Sequence, residues 1–196
     1  MFFAAVVGWP VPLAAIQILW INLVTDGLPA LALAMEPPDR DVMRRPPRPP
    51  REPVLNRRRG ALILAQGILI AAATAISFWW IYRGQPAAVE QARVVAFCTL
   101  AFSQLFFSFG CRSDHLTLPE LGLLTNRHLL LAILVSASLQ LGVVLIPIIR
   151  PIFEVTGHPE DYWPLVAALS LTPVTIVEVG KLVSAAWGQS REKAPP

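Results

Sequence analysis

Apolar residues in this chain come in long runs separated by short polar breaks, and the length of the runs is informative. A bilayer core about 30 Å thick is crossed by roughly 20 consecutive apolar helical residues. Five runs come close to or exceed that length: residues 12–35, 61–82, 93–111, 128–149 and 162–187. The fifth run holds Pro173, whose missing N–H predicts an interruption. Residues 1–8 are also apolar but supply only a fragment. They have no charged leader and end at Gly8-Trp9-Pro10 rather than at a cleavage site, so they read as the tail of a truncated helix, not as a signal peptide. Phe78, Trp79, Trp80 and Tyr82 close the second full run as an interfacial belt does. The pattern predicts an all-α membrane protein, a bundle of five full transmembrane helices plus a truncated N-terminal one.

Composition narrows the class further. Of 196 residues, 55% are apolar and 15% charged, against about 25% charged in soluble domains. That argues against a soluble doubly wound or barrel enzyme, and the apolar content excludes global disorder. The net charge of +3 does not point to nucleic acid, because eight arginines fall between Arg40 and Arg59. A basic block between apolar spans marks a cytoplasmic loop. Residues 36–60, rich in proline and arginine, cannot pack a core and read as an exposed, polyproline-biased segment. With that segment in the cytoplasm, thirteen basic residues fall on the cytoplasmic side and three, Arg83, Arg93 and Arg150, on the other. This places the C-terminus in the cytoplasm as well. Cys98 and Cys111 have neither metal-site spacing nor the look of a disulfide framework.

Polar residues inside spans carry the candidate chemistry. In residues 12–35, Asn22, Thr25 and Asp26 stand at i, i+3 and i+4, on one helical face. A charge at mid-membrane costs at least ~2.5–3.5 kcal/mol, so Asp26 needs a compensating partner. Pro29 has no N–H for the carbonyl of Thr25, and Gly27 loosens the turn, so the helix is expected to be partly unwound there with free carbonyl oxygens. Unwound backbone beside carboxylate and amide oxygens is how membrane proteins build hard-cation sites. Gln66, Gln140, Ser136 and Ser138 read as hydrogen bonders in helix packing, and Glu178 with Lys181 as an ion pair. His115, His128 and His158 are scattered and form no cluster.

The string Asn22-Leu23-Val24-Thr25-Asp26-Gly27-Leu28-Pro29-Ala30, with Pro37-Pro38-Asp39-Arg40-Asp41-Val42-Met43 and Arg45-Pro46-Pro47-Arg48 after it, resembles one region of the calcium-transporting P-type ATPases. That region is the sixth membrane helix and following cytoplasmic loop of the endoplasmic-reticulum and secretory-pathway type. Beyond residue 60 the resemblance is one of span order and loop length. It implies a C-terminal transmembrane domain: residues 1–8 the end of the fifth helix, 12–35 the sixth, 36–60 a cytoplasmic loop, 61–82 the seventh, 93–111 the eighth, 128–149 the ninth, 162–187 the tenth and 188–196 a cytoplasmic tail.

The resemblance further implies that Asn22, Thr25 and Asp26 contribute oxygens to a transported ion, with Gln104 the counterpart of an eighth-helix glutamate or glutamine. A glutamine there fits pumps that carry one calcium per cycle. Asp39 and Asp41 match loop residues that couple the membrane to the phosphorylation domain, while Arg44 departs from the acidic residue of some relatives. Calcium is the implied cargo, with manganese an alternative because both take oxygen ligands. No DKTGT-type phosphorylation sequence or Walker-type loop occurs in the chain. ATP and magnesium are therefore expected only in domains outside it, and the chain alone is not expected to couple ATP hydrolysis to transport. The implied partners are the lipid bilayer and the N-terminal remainder of a pump, with its phosphorylation, nucleotide and actuator domains and first helices. The implied location is a multi-pass position in a bacterial-type plasma membrane. A stand-alone small membrane protein that binds or regulates a pump is the alternative; an independent channel is disfavoured, since one polar helix seldom lines a pore.

Overall fold

The computed structural model describes residues 1–38, 43, 56–113, 116–122 and 124–192. Among them there is no strand, and five helical spans are long and apolar enough to cross a membrane. In chain order the helices are α1 (Phe2–Val7), α2 (Ala15–Ile21), a π-helix (Asn22–Asp26), α3 (Gly27–Leu33), α4 (Arg57–Tyr82), α5 (Val89–Gly110), the short α6 (Leu118–Leu121), α7 (Arg127–Leu145) and α8 (Trp163–Glu192). The first full span is composite, made of α2, the π-helix and α3.

Local chemistry sets the ends. Helix α1 stops at Gly8, whose φ of +74° is left-handed, and Trp9 N donates to Ala4 O at 2.8 Å. Trp9 then stacks on Trp79 at 4.9 Å, which ties the fragment to the aromatic side chains near the end of α4. Asn56 caps α4 by accepting from Arg59 N at 2.9 Å, and Asn126 caps α7 by accepting from Leu129 N at 2.9 Å. Helix α7 ends at Leu145 instead of continuing to residue 149. Ile146 precedes Pro147 and is pushed to an extended ψ of 112°, where a helix cannot continue. The interruption expected at Pro173 is not found: α8 runs through it. Thr172 and Thr175 flank the proline, and their hydroxyls donate to Ala168 O and Leu171 O, each at 2.8 Å, adding donors to the disturbed turn.

Helix α5 is the centre of the bundle, packed against α4, α7, α8 and the first span. Six consecutive residues, Val94 to Thr99, are completely buried, so every face of the helix is covered there. Outer faces are different. Leu62, Ile63, Leu64 and Ile68 on α4 and Ile176, Val179, Leu182 and Val183 on α8 are exposed, as lipid contact requires.

Charges gather at the end of the bundle that carries the arginine-rich segment. Arg112, with a fully buried side chain, donates to Glu36 Oε1 through Nε at 2.9 Å and Nη2 at 2.8 Å, and through Nη1 to Gly122 O at 2.8 Å. Asn126 Nδ2 donates to the other Glu36 oxygen at 2.6 Å and to Ala32 O at 3.1 Å. The expected pair of Glu178 and Lys181 forms at 2.8 Å. Lys181 also donates to Gly110 O at the end of α5, and Glu178 accepts from Leu118 N at the start of α6, so one ion pair terminates two helices. Breaking a buried pair costs about 3–5 kcal/mol because the surviving charge is left uncompensated. Arg112→Ala is therefore expected to lower the thermal midpoint of the detergent-solubilised protein sharply, and Arg112→Ala with Glu36→Gln less so; a double variant no more stable than the single one would contradict the pairing.

Candidate cation site in the first span

The turn that the sequence marked as irregular is widened, not unwound. Asn22–Asp26 form a π-helix that joins α2 to α3 without a break. A π-turn accommodates one extra residue, and such turns are frequent at functional sites. The cause is local. Pro29, the third residue of α3, cannot donate to a carbonyl of the preceding turn, so that turn must find a donor elsewhere. Gly27 has ordinary helical dihedrals (φ −64°, ψ −59°), so it does not loosen the backbone. A Cβ there would meet nothing within 4 Å, which leaves space open beside Asp26.

The widened turn divides the sequence-marked residues between two directions. Thr25 is buried and turned toward α5, where its Oγ1 lies 2.6 Å from Gln104 Oε1 and 2.7 Å from Ile21 O. A hydroxyl carries one proton. Donation to Ile21 O and a turned Gln104 amide that presents its nitrogen satisfy both contacts. Asn22 and Asp26 point outward and are exposed, and among the described residues neither side chain has a hydrogen bond or ion pair. The structure thus brings Thr25 and Gln104 together and leaves Asn22 and Asp26 open on the adjoining face. Asp39 and Asp41 lie outside the described residues.

Chemically, the open face offers one carboxylate and one amide oxygen, with a neutral hydroxyl–amide pair directly behind. These are hard oxygen donors of the kind that divalent cations such as calcium take. Among the described residues no three His, Cys, Asp or Glu come together, so any cation held here would draw on neutral oxygens as well as on Asp26.

Three supports of this turn were not evident from sequence. Ser136 Oγ on α7 donates to Val24 O, inside the π-helix, at 2.8 Å. Trp20 Nε1 donates to Gln140 Oε1 at 2.9 Å. Glu36 is held by Arg112 and Asn126 at the other end of the span. The sequence marks Ser136 and Gln140 as packing residues without giving their targets, and Arg112 is there only one of the basic residues that set the orientation. Ser138, by contrast, bonds within its own helix to Leu134 O.

Comparison with known proteins matches this architecture. Residues 10–183 match the family described as "Cation transporting ATPase, C-terminus". A calcium-transporting ATPase of Bacillus subtilis is 40% identical over 184 residues, covering 94% of this chain and 20% of that protein. The mouse calcium-transporting ATPase type 2C member 2 is 35% identical over 98% of this chain, and the human type 2C member 1 is 34% identical over 97%. In each case the chain spans about a fifth of the relative's length. A match across most of the chain, with the composite span inside it, leads to one assignment: this chain belongs to the C-terminal membrane-domain family of the cation-transporting ATPases.

Proposed function

We propose that this chain is the C-terminal membrane portion of an ATP-driven calcium pump, and that Asn22, Thr25, Asp26 and Gln104 supply part of its transport site. The observation that carries the reading is the outward pair Asn22 and Asp26 on a widened turn within a membrane span. A carboxylate left unpaired at that depth is costly, and a divalent cation among further oxygens offsets the cost. Relatives that are calcium-transporting ATPases support calcium as the cargo, and oxygen donors accept manganese too. In this reading the composite first span is the pump's sixth helix, α4 the seventh, α5 the eighth, α7 the ninth and α8 the tenth. ATP and magnesium act in domains supplied by the rest of the pump, to which the segment around Asp39 and Asp41 couples. The remaining ion ligands also come from that part.

The roles divide by chemistry. Asp26 provides the Coulomb attraction, and protonation of its carboxylate replaces the ion when the site empties. Asn22 adds a neutral oxygen. Thr25, held by Gln104, keeps the turn in register against α5 and adds its oxygen when the ion enters.

Asp26→Asn keeps size and most hydrogen bonding but removes the charge. In a desolvated site the loss is on the scale of about 3–5 kcal/mol, and at ~1.4 kcal/mol per decade calcium affinity is expected to fall about a hundredfold or more. Asn22→Ala should cost less. Calcium-dependent phosphorylation of the full-length pump reads both, and near-normal calcium dependence in a folded Asp26→Asn protein would remove Asp26 from the site.

Orientation is tested separately. The basic-residue asymmetry puts residues 36–60 and the C-terminus in the cytoplasm, thirteen charges against three. A cysteine in place of Val54, in an otherwise cysteine-free pump, is expected to react with an impermeant reagent in inverted vesicles and not in intact cells. Labelling in intact cells reverses the assignment.

A further inference from the structure

The polar side chains of α7 that reach the first span share one direction. Asn126 Nδ2 donates to Ala32 O and Glu36 Oε2, Ser136 Oγ donates to Val24 O, and Gln140 Oε1 accepts from Trp20 Nε1. Along α7 the partners ascend from 126 to 140 while on the first span they descend from 36 to 20, the register of two antiparallel helices. Asn126, the cap of α7, and Ser136 and Gln140 within it are all buried, at 0–2% exposure. The middle contact falls on the π-helix itself, on the carbonyl two residues before Asp26. The contact at the basic end is anchored in turn by the buried guanidinium of Arg112 on Glu36. Helix α3 carries the π-helix on to Ala32, whose carbonyl Asn126 holds, and a short turn at Ala34–Met35 leads to Glu36, so the widened turn is held from both sides.

We infer that Ser136 and Asn126 are positioning residues of the transport site: they fix the depth and rotation of the π-helix, and through it the carboxylate of Asp26 and the amide of Asn22, without touching the ion. This inference rests on the transport-site reading. The physical case is that a π-turn surrounded by lipid and helices can revert to regular α-geometry by shifting one residue. Such a shift would rotate Asn22 and Asp26 by about 100°, one residue's turn at 3.6 residues per turn. Ser136 opposes it because its hydroxyl engages Val24 O in the widened arrangement. Asn126 opposes it because Ala32 and Glu36 cannot move along the axis without losing its amide. The two contacts act at separate points of one rigid span and should therefore have the same functional signature.

The test uses radiolabelled calcium binding to the full-length pump in native membranes, with Ser136→Ala, Asn126→Ser and Asp26→Asn compared with the parent. Ser136→Ala deletes only the hydroxyl. Asn126→Ser retains an oxygen that can cap α7 but cannot reach Ala32 or Glu36. Loss of one buried hydrogen bond that acts through geometry is expected to raise the calcium Kd about fivefold to tenfold, with the maximum bound per folded pump unchanged. A purely structural role lowers the thermal midpoint or the number of competent sites and leaves Kd within twofold of the parent; that result overturns the inference. If Ser136→Ala does not reach the membrane, Asn126→Ser gives the same reading from the other end of the span. Asp26→Asn separates the two claims. Loss of binding in Asp26→Asn beside a parental Kd in the α7 variants sinks the positioning role alone, and an unaffected Asp26→Asn sinks the transport-site reading with it.

Discussion

A bilayer interior offers no water to satisfy a backbone carbonyl, so any departure from regular helix inside a span must be answered by another group of the protein. The composite first span depends on this constraint. Its π-helix disturbs the backbone at Asn22–Asp26, and the disturbance is answered by hydroxyls: Thr25 on Ile21 O from within, and Ser136 on Val24 O from α7. With the backbone satisfied by these neighbours, the side chains of Asn22 and Asp26 remain available for something else. The same constraint explains why α5 is central. It carries small and apolar residues on every face, so other helices can close around it, and its own Gln104 lies behind Thr25.

The two ends of the bundle solve the charge problem differently from its middle. At the basic end, Glu36, Arg112, Asn126, Glu178 and Lys181 satisfy one another and terminate helices at the same time. At the opposite end, Arg150 donates to Val155 O and Gly157 O, and Gln91 exchanges hydrogen bonds with the backbone of His158, closing the loop between α7 and α8 over the start of α5. Between them, Asp26 is the carboxylate at mid-span that has no protein partner among the described residues. Paired charges at the ends stabilise the bundle, whereas an unpaired charge in its middle is available to a ligand.

Much of the fold could be read from the sequence because a membrane imposes one length and one polarity on its helices. The five spans and the Glu178–Lys181 pair follow from run length and i, i+3 spacing. Several boundaries did not: α4 starts at Arg57 and α5 at Val89, each four residues before the apolar run, and α8 continues to Glu192. Ile146 before Pro147 ended α7 early because the proline restricts the residue before it, while Pro173 passed through α8 with threonine hydroxyls on both sides. The candidate site was legible as a polar triplet with a nearby proline, but not in its geometry. Periodicity placed Asn22, Thr25 and Asp26 on one face, and the extra residue of the π-helix divided them between a buried contact with Gln104 and an open pair. Interhelical partners such as Ser136 for Val24 O are set by packing between segments more than a hundred residues apart, which no local pattern encodes.

Whether the widened turn displays Asp26 and Asn22 to a transported cation is decided by the structure of the full-length pump with calcium bound, with manganese substituted so that anomalous scattering identifies the ion. The expected result is an ion coordinated by oxygens of both Asp26 and Asn22, at about 2.3–2.6 Å for calcium, with the Asn22–Asp26 turn still widened and Ser136 still on Val24 O. An ion bound elsewhere, with the Asp26 carboxylate hydrogen-bonded to a neighbouring helix, would contradict it.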